Sequence, residues 1–130
     1  MEYALDQSQL EAIEDIIRQE FIELGVHCTC LIDMAGNIVA NLDDGKTSFD
    51  VYSLAALAAG NFGAVSAMAN MVGEQEFSLL FHKGKTESIH FSKVTDEFLL
   101  ITIFGKETSL GFLRLKVAEA VKKFEKILGS

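Results

Sequence analysis

Phe98-Leu99-Leu100-Ile101-Thr102-Ile103-Phe104 is apolar at every position but one. A strand with one wet face alternates apolar and polar side chains, so a run that does not alternate must be covered on both faces. Asp96-Glu97 precedes this run and Gly105 closes it, a length that suits a strand better than a helix. It therefore reads as the centre of a sheet, and the remaining chain has to supply a helical layer on each side of it.

The neighbouring segments fit that demand. Residues 87–93 alternate, with Ile89 and Phe91 against Ser88, His90 and Ser92. Residues 76–82 alternate too, placing Phe77, Leu79 and Phe81 on one face, and Lys83-Gly84-Lys85 turns the chain between the two strands. Upstream, strands over 26–33 and 37–41 flank Met34-Ala35-Gly36. Gly36 supplies positive φ there, and Asp33 and Asn37 bracket the turn and can bond its backbone.

A helix over 6–24 carries Leu10, Ile13, Ile17, Phe21 and Leu24 at helical spacing. Ser8 and Glu11 have capping-box spacing at its start, and Gly25 is its stop. A second helix covers 50–72, capped by Ser48 or Asp50. A third starts at Thr108 or Ser109 and buries Leu110, Leu113, Val117, Val121, Phe124 and Leu128. Lys122, Lys123 and Lys126 near its end suit the helix dipole.

The order is α-β-β-α-β-β-β-α, which predicts an α/β (α+β) sandwich with a five-stranded antiparallel sheet. The long central helix covers one face, and the N- and C-terminal helices cover the other. At 130 residues, 49% of them hydrophobic, the chain is expected to form a single domain over 1–130.

Charge narrows the function. Eleven Lys and Arg against 19 Asp and Glu give a net charge of −8. A nucleic-acid partner needs a basic face to neutralise phosphates, and this balance argues against one. The excess is local: residues 1–50 hold 11 acids and 2 bases, net −9, while residues 51–130 hold 8 acids and 9 bases, net +1. The first helix supplies much of the acid, through Glu11, Glu14, Asp15, Glu20 and Glu23. A solvated helix face accounts for it, and a docking surface for a basic partner is the alternative. Cys28 and Cys30 are too close in sequence for a strain-free disulfide within one strand, so two free thiols point to a reducing, cytoplasmic location.

Between Val51 and Gly73 there is no Asp, Glu, Lys or Arg. The length could cross a bilayer, but alanine dominates and Asn61 and Asn70 oppose insertion, so a packed helix is expected and membrane insertion is not. Ala55, Ala59, Gly63 and Ala67 lie in one row along this helix, beside Ala56, Gly60 and Ala64. Rows of small residues let another backbone approach closely. Two glycines inside a helix cost about 1 kcal/mol each against alanine, which calls for a packing reason. Close packing on the chain's own sheet and packing against a second copy both satisfy it.

Sites for chemistry are sparse. No phosphate-binding glycine loop, dinucleotide fingerprint or nucleophile elbow is present. His27 on a strand points away from Cys28 and Cys30, so no metal site is expected from the three. His82 and His90 read as surface or hydrogen-bonded structural histidines. Asp43-Asp44 and Asp96-Glu97 sit in connections, where solvation explains them. No catalytic residue and no cofactor is assigned, and the chain reads as a binding module rather than an enzyme.

Five segments in register resemble the roadblock (dynein light chain) family. They are residues 31–40, Leu54-Ala55-Ala56-Leu57-Ala58-Ala59-Gly60, His82-Lys83-Gly84, the central strand, and Ser109-Leu110-Gly111-Phe112-Leu113-Arg114-Leu115. The likeness runs from about Val26 to Leu128 and is to a bacterial or archaeal member without a long C-terminal extension. The resemblance implies a homodimer in which the central helix and third strand of two copies meet. On that basis the interface residues are Ala55, Ala59, Gly63, Ala67, Phe77, Leu79 and Phe81. It further implies docking and regulation of a Ras-like small GTPase, as activator or scaffold, in polarity or motility signalling. Arg18 and Arg114 both fall inside helices, which argues against an inserted arginine finger. The alternative is a small-ligand sensor of similar shape, with a cavity beneath the central helix.

Overall fold

The computed structural model describes residues 5–75 and 80–129. Helix α1 spans Gln7–Glu20. Strands β1, Cys28–Asp33, and β2, Ile38–Asp43, form a hairpin. Helix α2 spans Val51–Met71. Then come β3, Leu80–Lys83, β4, Glu87–Lys93, and β5, Phe98–Gly105, before α3, Leu110–Leu128. The first part of the strand expected over 76–82 lies outside the described residues.

The five strands form one sheet in the order β2-β1-β5-β4-β3, antiparallel throughout. The apolar run expected at the centre is there: β5 sits between β1 and β4, and all eight of its residues are buried. On one face, α1 and α3 pack Ile13, Ile17, Phe21, Leu113, Val117 and Phe124 against Leu31, Leu100 and Phe104. On the other, α2 lays Ala55 and Ala58 on Cys30, Ile32, Phe91, Leu99 and Ile101. The fold is the expected sandwich, with the expected distribution of helices.

Local chemistry explains the boundaries. Asp33 fixes the first hairpin, because its carboxylate accepts from Ala35 N at 3.0 Å, Asn37 N at 2.9 Å and Asn37 Nδ2 at 2.9 Å. Burial pushes this carboxyl's pKa up, but those bonds outweigh it and hold the pKa below its ordinary value. The start of α1 differs from expectation. Asp6 is its N-cap, paired with Gln9 in a capping box, in place of Ser8 with Glu11. Both pairs have the same spacing, and the one lying first along the chain takes the role. The helix also ends early, at Glu20, and a 3₁₀ turn over Ile22–Leu24 completes the segment. That tighter turn leaves Leu24 exposed, while Gly25 stops the segment at φ 97° as expected. Ser109 caps α3 by accepting from Phe112 N at 3.1 Å.

Candidate functional site

Helix α2 carries the most unusual surface of the molecule. Asp50 starts it by accepting from Tyr52 N at 3.0 Å and Ser53 Oγ at 2.8 Å. The helix contains no charged residue. With no polar face to orient it, its rotation is set by what the sheet will accept. Ala55, Ala58 and Ala69 are buried, and Ala59 and Phe62 are half-buried. The β1–β2 turn presses directly on the helix. A Cβ on Gly36 would stand 3.1 Å from Ala56 Cα, and at φ +93° only glycine is at ease there.

The opposite side is open. Ala56, Gly60, Gly63, Ala64 and Ala67 are exposed and form a smooth strip. Tyr52, Leu57 and Met71 edge it at 75%, 73% and 85% exposure, with Met68 and Val72 exposed beside them. A Cβ built on Gly60 or Gly63 meets nothing within 4 Å. No contact inside the chain therefore requires either glycine.

The residues assigned to the seam separate on the structure. Gly63 and Ala67 lie on the open strip. Ala59 is half-buried against its own sheet, and Ala55 is fully buried in it, so the open row is rotated by one residue, through Ala56, Gly60 and Ala64. Phe81 is turned to the α1/α3 side, where its ring stacks on Phe104 at 6.0 Å between centroids. Phe77 and Leu79 lie outside the described residues. Sequence reasoning missed Tyr52, Leu57, Met68 and Met71; their i, i+3 and i+4 spacing with the small residues was the available signal. By length and composition α2 could cross a membrane, but its inner face is committed to the sheet.

Several of the described titratable residues hold the fold together. His27 Nδ1 lies 3.0 Å from Glu87 Oε1, and Nε2 lies 2.5 Å from Glu107 Oε1. Carboxylates only accept, so this arrangement favours a ring protonated on both nitrogens. Partial burial pulls its pKa down, and the two carboxylates outweigh that and hold it above the ordinary 6.5. His27 is thus engaged away from the cysteines, whose thiols share Asn41 Oδ1 at 3.5 and 3.4 Å. The Cys28 contact and burial push the Cys30 thiol pKa up, which makes it unreactive. Among the described residues no group of three or more His, Cys, Asp or Glu is arranged to hold a metal.

His82 is exposed and meets Phe91 edge-on at 5.7 Å. His90, expected at the surface or hydrogen-bonded, is instead buried with its Nδ1 unpartnered. Burial, with the Arg114 charge adding, lowers its pKa to about 4, so it is neutral at neutral pH. Asp43 and Asp44 bond their own loop through Gly45 N at 2.7 Å and Lys46 N at 2.9 Å. The space beneath α2 is filled by side chains, and a cavity of about 360 Å³ opens on the opposite, α3 side of the sheet.

Known proteins share this architecture. Residues 19–104 match the family model described as the Roadblock/LC7 domain. Myxococcus xanthus MglB is 28% identical, with a TM-score of 0.86, over 96% of this chain and 93% of that one. The gliding protein MglB from Thermus thermophilus is 24% identical, with a TM-score of 0.87, over 99% and 98%. An MglB with tetrameric arrangement is similar too, at 24% identity and a TM-score of 0.79, over 99% and 93%.

Proposed function

We propose, from the premise that this chain belongs to the Roadblock/LC7 family, that it acts as a homodimer that docks and regulates a Ras-like small GTPase. The observation that carries the reading is the outer face of α2. Two glycines weaken that helix without serving any contact inside the chain. Exposed apolar residues surround them, in a patch a solitary soluble domain would bury. A second copy laid against the strip gives the glycines their reason, because two helix backbones meet closely only over small side chains. The likeness to MglB, including one MglB in a tetrameric arrangement, supports self-association. β3 is at the sheet edge, where an adjoining copy would also protect its open hydrogen-bonding groups.

The regulatory part follows from family membership and from the lack of reaction chemistry in the described residues. Any acceleration of GTP hydrolysis acts by positioning the partner's own residues, because Arg18 and Arg114 are both helical and Arg18 is bound to Asp15 at 2.7 Å. The two reduced, buried thiols are consistent with a cytoplasmic site of action.

Two measurements test this. Sedimentation of the wild type should give a dimer, and Gly60→Phe should give a folded protomer of half that mass. Single-turnover GTP hydrolysis by a Ras-like GTPase of the same organism should respond to the wild type, and to Arg18→Ala and Arg114→Ala alike. A monomeric wild type removes the seam, and no GTPase binding or response removes the regulatory reading.

A further inference from the structure

The cavity on the α3 side has a charge pattern foreign to this acidic chain. Its lining includes Lys83 at the end of β3, Lys85 in the β3–β4 turn and Lys106 in the β5–α3 turn. Arg18, Lys93, Lys116 and Lys123 each hold an ion pair. Among the described residues, Lys83, Lys85 and Lys106 make no ion pair, although the chain has 19 acids.

The fold produces this by sorting charges across the sheet. Glu87 and Glu107 are neighbours of the lysines in sequence, yet both carboxylates are bound to His27. Glu87 shares its face of β4 with Ile89, which packs on the α2 side. Lys83 pairs in register with Ser88, on the face of Phe81 and Phe104. Gly84 lets the turn between Lys83 and Lys85 close tightly on Glu87, since a Cβ there would run into the Glu87 carbonyl oxygen.

The rest of the lining is of another character. Phe81, Phe104 and Leu110 give it apolar surface, and Thr86, Ser88 and Thr108 add hydroxyls. The N-terminus of the 19-residue α3 opens at Leu110, so its dipole adds positive potential. Beside this wall the register sets Phe81, His90, Thr102 and Thr29 in one cross-strand row. His90 Nδ1, Thr102 Oγ1 and Thr29 Oγ1 are all buried without a partner. The polar row runs inward from the cavity's edge.

We propose that this cavity binds a small organic anion, with a phosphate or carboxylate held by Lys83, Lys85 and Lys106 and an apolar body against Phe81, Phe104 and Leu110. Its volume, about 360 Å³, falls in the ~300–1,000 Å³ range of small-molecule sites. Unpaired ammonium groups select the anion, and the aromatic lining selects its body. The site lies on the face of the sheet away from α2, and its lining includes Phe81 and Lys83 of the edge strand β3.

The test is an amide-resolved NMR titration of the full chain with phenyl phosphate, inorganic phosphate and phenol. Phenyl phosphate should give saturable shifts at Gly84, Lys85, Gly105 and Lys106, and bind about tenfold more tightly than either fragment, as burial of part of a ring allows. The triple variant Lys83→Gln/Lys85→Gln/Lys106→Gln should lose about tenfold or more in affinity with an unchanged melting temperature. Lys85→Gln alone, at an exposed turn, should give a smaller loss in the same direction. Shifts that do not saturate, that map to other amides, or that survive in the triple variant overturn the proposal. Equal binding of inorganic phosphate overturns the assignment of an apolar body.

Discussion

The two faces of the sheet are built from different materials. On the α1/α3 side the core is thick: Phe21, Phe104 and Phe124, with Ile13, Ile17 and Leu113, fill the space between sheet and helices. On the α2 side the helix contributes alanines and Phe62, and its outer half stays apolar in the open. The first face is a finished core. The second is half of one, in which the chain holds its helix close to the sheet and leaves the far side smooth. Large side chains secure a fold, whereas small ones keep a surface available to another backbone.

The largest test of that contrast is a pair of truncations. Phe124→Ala should cost about 3–5 kcal/mol in denaturant unfolding, because Phe124 is fully buried and its neighbours cannot collapse to fill the hole. Leu57→Ala, at an equally apolar but open position, should change protomer stability by about 0.5 kcal/mol or less. Comparable losses at the two positions would erase the distinction between the faces.

Protonation gives the next effect. His90 ordinarily titrates at 6.5 and is lowered to about 4 in the folded chain. The unfolded chain therefore takes up the proton first, and stability falls as pH drops from about 6.5 towards 4. The loss is on the order of 3 kcal/mol. His90→Gln should flatten this acid limb in pH-dependent thermal unfolding; an unchanged limb would place its origin elsewhere.

Gly60 sharpens the comparison from the other side. Gly60→Phe should weaken self-association by about 1–3 kcal/mol, read by sedimentation across concentrations, with the protomer fold retained. Gly60→Ala should stiffen the helix by up to about 1 kcal/mol in the protomer. If that alanine tightens the dimer as well, close approach at this point is not what the glycine provides.

The smallest effect concerns His27. Its folded pKa is raised above 6.5, so its contribution is complete below that value and fades as pH rises through the folded pKa. Glu87 and Glu107 are half-exposed, and water screens the pairs, which keeps the contribution well below that of His90. His27→Gln should remove a shallow alkaline-side slope, opposite in direction to that of His90. A variant slope equal to the wild type's would show that the cluster is fully screened.

Much of this was legible in the residues. The uninterrupted run at 98–104 required two helical layers, and Asp33 with Gly36 announced the first hairpin, because in each case one physical demand has one local answer. The rotation of α2 was not legible. An apolar helix without a polar face has no sequence phase, and only contact with Cys30, Ile32 and Ile101 chose Ala55 for the inside and Gly60 for the outside. Strand alternation likewise told which residues share a face but not which layer covers it, so Phe81 was placed at a seam and found stacked on Phe104. His90 was misread for a related reason: beside two serines it resembles a wet face, yet it is buried, with Arg114 of α3 near enough to act on its charge. The lysine cavity needed the register, since its three ammonium groups come from two turns that sequence leaves apart.

Gln9 Nε2 reaches Ile127 O at 3.4 Å, joining the opening turn of α1 to the closing turn of α3. The opening turn of α1 and the closing turn of α3 therefore meet at one corner, on the layer remote from α2. A fluorescent reporter on an exposed side chain of either turn, such as Gln7 or Lys126, would stand clear of the open strip of α2.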